Sequence, residues 1–230
     1  MATSTEMIAR ARRWLTSSDT GVLPDTEILE LMNEVARETV DRHNLWFSEK
    51  WGYVSFNPSS YSPPSLPTEH SVAFPNAVTG AGRLARPVAV YKYNSSTDAK
   101  EGEYKYMHFE EFKESYIDGT TTQTDPMHYT LFGEYLWVAP VPASTTNIAV
   151  FGYFYEPDLD DDTVTTNNFS LYSPKLLVFG ALDKLPKYKF EEDVRANLYL
   201  QEKKEALDSL IAYSSTRHGL AHRAVSRRKG

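Results

Sequence analysis

The sequence predicts an α+β protein in which helices from both ends of the chain form one bundle, discontinuous in sequence, with an antiparallel β domain inserted between them. Three observations predict it. Helical periodicity dominates up to about residue 51, gives way to short alternating strands rich in Val, Tyr and Phe, and returns after residue 170. The segments expected are therefore 1–51 and 171–216 as helical bundle, 52–170 as inserted β domain, and 217–230 as a basic C-terminal tail.

The first helix is expected from Ser4 to Thr16, with Ile8, Ala11, Arg12 and Leu15 on one side, and the Ser, Gly and Pro of TSSDTGVLPD end it. The central helix follows over Asp25–Trp51. Ile28, Met32, Val35, Thr39, His43 and Trp46 recur at steps of three or four, with Leu29, Ala36, Val40 and Phe47 widening the stripe, so one face is buried. Asp25 suits the helix start as a cap, and Glu27 suits the positive end of the dipole. The opposite face, Glu30, Glu34, Arg37, Glu38 and Asp41, meets water or a polar neighbour.

From Gly52 to about Phe154 the runs YVSF, SVAF, RPVAVYKYN, EYKYMHF, HYTLFG, EYLWVAP and TTNIAVFGYFY read as antiparallel strands. FGEY is a two-residue hairpin with Gly133 at its turn. FEEFKESY, Phe109 to Tyr116, interrupts with one or two helical turns, and Asn57–Pro67, rich in Pro and Ser, is a long surface loop. Ser173 before Pro174 starts an almost wholly apolar helix (Leu176, Leu177, Phe179, Gly180, Ala181, Leu182, Leu185) that Pro186 ends. The last helix runs from Glu191 to about Tyr213 with Val194, Leu198, Ala206, Leu207, Leu210 and Ile211 as its apolar side.

Composition limits the chemistry. The chain has no cysteine, which removes disulfides, thiolate catalysis and Cys-ligated zinc. MATSTEMIARARRWL lacks the apolar core of a signal peptide, and no stretch approaches the ~20 apolar residues of a membrane span, so a soluble, non-secreted protein is expected. Asp158, Asp160, Asp161 and Asp162 place oxygens at calcium-loop spacing, but Thr163 stands where glycine is needed and Phe169 where the bidentate Glu belongs. That run reads as a solvated linker. His218 and His222 are the one pair of histidines at ligand spacing, in what reads as a polar tail. No HExxH, GxSxG or Gly-rich phosphate loop occurs, so no enzyme, cofactor or metal is expected.

Charge is unevenly placed. Residues 52–170 carry fifteen acidic against six basic side chains, whereas 217–230 carry Arg217, Arg223, Arg227, Arg228 and Lys229 with no acid. Such a tail solubilises the chain, docks on a partner's acidic groove or touches DNA phosphates. An acidic body repels phosphate instead of holding it.

The order LMNEVARETVDRHNLWFSEKWGYVSF, then GEYLWVAPVP and IAVFGYFYEPDLDDDTVTTNNF, then SPKLLVFGALDKLPKY and EEDVRANLYLQEKKEAL, resembles the head-to-tail adaptor (connector, neck) proteins of tailed bacteriophages over about residues 24–212. The resemblance implies a structural protein of the virion at the head–tail junction, made in the host bacterial cytoplasm. It implies a homo-oligomeric ring, usually of twelve copies, with the portal protein above, a tail or nozzle protein below, and DNA passing through unread during packaging and ejection. It favours portal docking for the five basic tail residues. Glu34, Glu38 and Asp41 are the channel-facing candidates, and Tyr-rich strand faces with the 57–67 loop are candidates for the contact between copies. The rival reading is a carbohydrate-binding β-sandwich module of a phage tail protein, suggested by Tyr and Trp in the strands.

Overall fold

Helix α1 (Ser4–Trp14) begins with a reciprocal cap. Thr3 Oγ1 accepts from the Glu6 amide at 3.3 Å and Glu6 Oε2 accepts from the Thr3 amide at 3.2 Å, satisfying two of the free donors at a helix start. The computed structural model describes residues 2–15, 23–56, 72–75, 77–78, 82–94, 97, 99–117, 127–132, 135–140, 146–160, 166–185 and 193–227. The 57–67 loop, Gly133, Pro186 and the Asp161–Asp162–Thr163 part of the acidic run lie outside these residues, so those expectations have no structural counterpart here. Helix α1 stops at Trp14, where Leu15 turns extended, two residues short of the expected Thr16.

The protein is mixed α/β, and its contacts divide it into two units: 1–48 with 155–230, and 49–154. In the first, helix α2 covers Asp25–Arg42 and buries Ile28, Leu29, Met32, Val35, Ala36, Thr39 and Val40, the expected stripe. It does not continue to Trp51. His43 takes extended angles (φ −131°, ψ 142°), and a turn at 46–48 leads into the first strand. Trp46 and Phe47 leave the helical stripe to meet Tyr172, with ring centroids 5.3 and 6.0 Å away, and Phe47 also meets Phe169 at 5.1 Å. Asp25 is not the cap either. Pro24 holds that position without a side-chain bond, and Asp25 instead pairs with Arg12 of α1, whose guanidinium also donates to Leu23 O at 2.8 Å.

Residues 155–160 and 166–170, read from sequence as part of the β segment, group with the helices. The buried Asn33 amide of α2 bonds both the N–H and the C=O of Leu159 at 2.8 Å, so the chain is docked at that residue, while Asp158 and Asp160 on either side of it are exposed. A short helix, α4 (Asn168–Tyr172), follows; Asn167 caps it by accepting from Ser170 N at 2.9 Å while Ser170 Oγ accepts from Asn167 N at 3.0 Å. The next helix, α5 (Pro174–Lys184), has proline at its first position as expected and buries Leu176 to Leu182 without a break. Helix α5 touches α1, α2, α4 and the last helix, α6 (Asp193–Arg227). Helix α6 passes the expected Tyr213 end and continues through most of what was read as a tail. Its buried face carries Tyr199, Ala206, Leu210 and Ser214, whereas Leu198 is exposed, because the Tyr199 ring packs against Phe179 and Trp14 and its hydroxyl donates to Trp14 O at 3.0 Å.

The second unit holds strands β1 (Glu49–Phe56), β2 (Val72–Pro75), β3 (Ala77–Val78), β4 (Gly82–Asn94), β5 (Ala99–Tyr106), β6 (His128–Phe132), β7 (Tyr135–Ala139) and β8 (Thr146–Phe154). They join in the order β1-β8-β4-β5-β6-β7-β2, with β3 beside β4. One step departs from the antiparallel expectation: β5 and β6 pair in parallel through Lys105–His128 and Tyr106–Tyr129. A parallel pair needs a long crossover, and helix α3 (Phe109–Phe112) with a π-helical turn (Lys113–Ile117) forms its described part. Leu84, Val90, Tyr104, Leu136, Val138, Ile148, Val150 and Phe154 form the core of this unit.

Helix α5 packs closely on α2 at Gly180. A Cβ on Gly180 would stand 2.7 Å from Val35 Cγ1 and 2.8 Å from Cγ2. Val35 is β-branched and stiff, so Gly180→Ala is expected to lower thermal stability by up to about 2 kcal/mol: overpacking of about 1–3 kcal/mol stands against the ~1 kcal/mol gained in helix propensity. Val35→Ala is expected to cost less beside Gly180→Ala than alone, because it relieves the clash; melting curves in which the double variant is no more stable than the sum of the singles would contradict the close approach.

Candidate interaction surfaces

The basic end of the chain is placed by helix α6. Arg217 is exposed, yet it is held: its Nε and Nη2 donate to Tyr213 Oη at 3.0 and 2.6 Å, and its guanidinium lies 5.5 Å from the Trp46 ring centre and 5.2 Å from that of Tyr213. One turn earlier, Ser214 Oγ accepts from Trp46 N at 3.0 Å and donates to Asn44 O at 3.1 Å, tying α6 to the segment that follows α2. Arg223 and Arg227 continue along the α6 backbone, while their side chains, those of His218 and His222, and all of Arg228 and Lys229 lie outside the described residues. Next to Arg217 the surface is apolar, with Leu171, Tyr172 and Tyr213 exposed.

The acidic face of α2 is partly neutralised. Glu34 and Glu38 share Lys184 of α5 at 3.0 and 2.6 Å, and Asp41 accepts from Tyr155 Oη at 2.6 Å. Burial pushes the Lys184 ammonium down, but the hydrogen bonds and charges of Glu38 and Glu34 outweigh it, so its affinity for the proton is raised. Asp158 of the acidic run pairs with Arg37 at 2.6 Å. No group of three or more His, Asp or Glu placed to hold a metal ion occurs among the described residues. Nor is any described helix long and apolar enough to cross a membrane.

In the sheet unit the pleat opposite the core is aromatic. Trp51 meets Phe151 at 4.8 Å and Tyr91 at 5.8 Å, Tyr53 meets Tyr93 at 4.8 Å, and the Lys100 ammonium sits 3.8 Å from the Trp51 ring centre. Register explains the row: Trp51 pairs across from Phe151, which pairs with Ala89, while Tyr91 and Tyr93 follow at alternate positions of β4. At the crossover, Tyr116 Oη and His128 Nδ1 are 2.7 Å apart. Burial lowers the proton affinity of His128, Lys105 lowers it further and Glu111 works against both, while burial raises that of Tyr116. Sequence reasoning missed this pair, since only the parallel β5–β6 step brings residues 116 and 128 together.

Residues 2–228 match the protein family described as SU10 adaptor protein. No curated protein matches the chain.

A His that resists protonation when folded makes stability fall with pH. The unfolded chain takes up a proton near pH 6.5 that the folded one refuses, so stability is full above about pH 6.5 and declines below it toward the lowered folded value. Urea midpoints at pH 7.5 and 5.5 should therefore differ less for His128→Gln than for the native chain. An unchanged difference would place the sensitivity elsewhere.

Proposed function

Because the chain belongs to the SU10 adaptor protein family, we propose that this phage structural protein forms a ring at the head–tail junction, joining the portal to the tail or nozzle and enclosing part of the DNA channel. In this reading the ring holds about twelve copies of a discontinuous helical bundle with an inserted β domain, catalyses no reaction, and passes DNA during packaging and ejection without reading it. The observation that carries it is the family match over residues 2–228, which includes both units.

Physical features of the surface support the assignment. Arg217, fixed on Trp46 and Tyr213, is the first of five cations free of acidic sequence neighbours, and a cation oriented before docking loses less entropy on meeting a carboxylate. Arg217, Arg223, Arg227, Arg228 and Lys229 are accordingly the portal-docking residues. Glu34, Glu38 and Asp41 remain the channel-facing candidates, with Lys184 cancelling one of their charges. A lining of weak negative charge lets DNA slide, whereas each cation facing a phosphate would add salt-dependent affinity and drag.

A second reading, a carbohydrate-binding module, is favoured by the aromatic row of Trp51, Tyr53, Tyr91, Tyr93 and Phe151. The ammonium of Lys100 over Trp51 counts against it, since it occupies the ring face on which a sugar would stack. Deleting 218–230 removes the last ten residues of α6; it is expected to lower the helical circular dichroism signal by that length only, to leave the melting temperature unchanged, and to abolish joining of the protein to DNA-filled heads in vitro. Heads joined at normal yield by the truncated chain would overturn portal docking through this end. Saturable quenching of Trp51 fluorescence by an oligosaccharide would favour the second reading instead.

A further inference from the structure

Two exposed surfaces, one on each unit, have complementary chemistry. On the helical unit, Trp14 of α1, Val178 and Phe179 of α5 and Glu202 of α6 line a groove of about 210 Å³, with Arg10 and Lys175 at its sides. That volume is below the ~300–1,000 Å³ of small-molecule sites, so the groove suits a side chain better than a cofactor. Trp14 is 42% exposed, although its edge meets Phe179 at 5.4 Å. Glu202 lies 3.9 Å from Lys175, which leaves the groove with the net positive charge of Arg10.

On the sheet unit, Phe109 of α3 and Phe132 at the end of β6 stack face to face, with centroids 3.7 Å apart and planes 7° from parallel. Phe132 is 48% exposed. The neighbouring Glu110, Glu111 and Glu114 are also exposed, as is Lys113 one turn after Phe109, so this is an apolar knob in a surround of net negative charge. It is the counterpart of an apolar groove whose net charge is positive.

We propose that the Arg10–Trp14–Lys175 groove of one copy receives the Phe109–Phe132 knob of a second copy. A ring requires a heterologous contact, two unlike patches on every copy, each meeting the other patch on a neighbour. Groove and knob are unlike patches, with aromatic anchors at the centre and opposite charges at the rim, the arrangement of a binding hot spot. Charge complementarity selects the second copy as occupant. Because the contact is offered as the ring's own, it rests on the adaptor reading above.

The test uses the full chain with charges reversed on one surface at a time, Arg10→Glu with Lys175→Glu, or Glu110→Lys with Glu111→Lys, and compares sedimentation over a concentration series. Each variant is expected to self-associate at least about tenfold more weakly than the native chain, since like charges are brought together. An equimolar mixture of the two is expected to recover association, because every groove then finds a knob of opposite sign. Zero-length carbodiimide coupling in a mixture of 14N and 15N copies should give a hybrid Lys175–Glu110 or Lys175–Glu111 cross-link. Native association by both variants, no recovery on mixing, or a wild-type chain that stays monomeric would each overturn the contact. So would reversal that abolishes joining to heads without changing self-association, which assigns the groove to another protein. Heads joined normally by a groove-reversed variant overturn the contact and leave the adaptor reading standing; a chain that associates through the groove but never joins heads does the opposite.

Discussion

Helix α5 has no polar face along its middle. Leu176 through Leu182 are all buried, and a short helix apolar all round cannot stay in water, so it must be covered on every side. It is covered by α1, α2, α4 and α6. Gly180 sets how near α2 can come, since the missing side chain leaves the space that Val35 fills. Lys184, at the end of the same helix, reaches Glu34 and Glu38 on α2, and Lys203 of α6 reaches Asp183 of α5 at 2.7 Å. Polar contacts at its ends and apolar contacts along its length thus select the same neighbours.

The parts of this arrangement legible in the sequence are those written in short-range periodicity. The α2 stripe, the Ser–Pro start of α5 and most strands follow from spacing and local chemistry alone. What escaped depends on partners far along the chain. Trp46 and Phe47 fall on the helical stripe by spacing, and only contact with Tyr172 and Phe169 removes them from it. Leu198 and Tyr199 are both apolar enough to face inward, and Trp14, with its backbone oxygen ready for a hydroxyl, decides for Tyr199. Helix α4 has no apolar period because it is too short to show one; its Asn167–Ser170 cap was the available signal.

The candidate sites were legible as charge and not as geometry. Sequence shows that the end of the chain is basic and that α2 has an acidic face. It does not show that Arg217 rests on Trp46, or that Ser214 ties α6 to a segment 168 residues earlier. Nor can composition show that Phe109 and Phe132 stack, since a crossover between parallel strands brings them together. For a protein whose work is contact, such pairings determine which charges are oriented and which aromatic rings remain open to a partner.

The bond between Lys184 and Glu38 joins residues 146 positions apart. On the ribosome, at ~5–20 residues per second, the apolar stripe of α2 therefore waits roughly 7–30 s before the helix that covers it has been made. Every strand of the sheet unit is synthesised within that interval and can form its ladder first. During those seconds the nascent chain exposes Ile28, Met32 and Val35, a segment suited to chaperone binding, and it is the stage most open to aggregation.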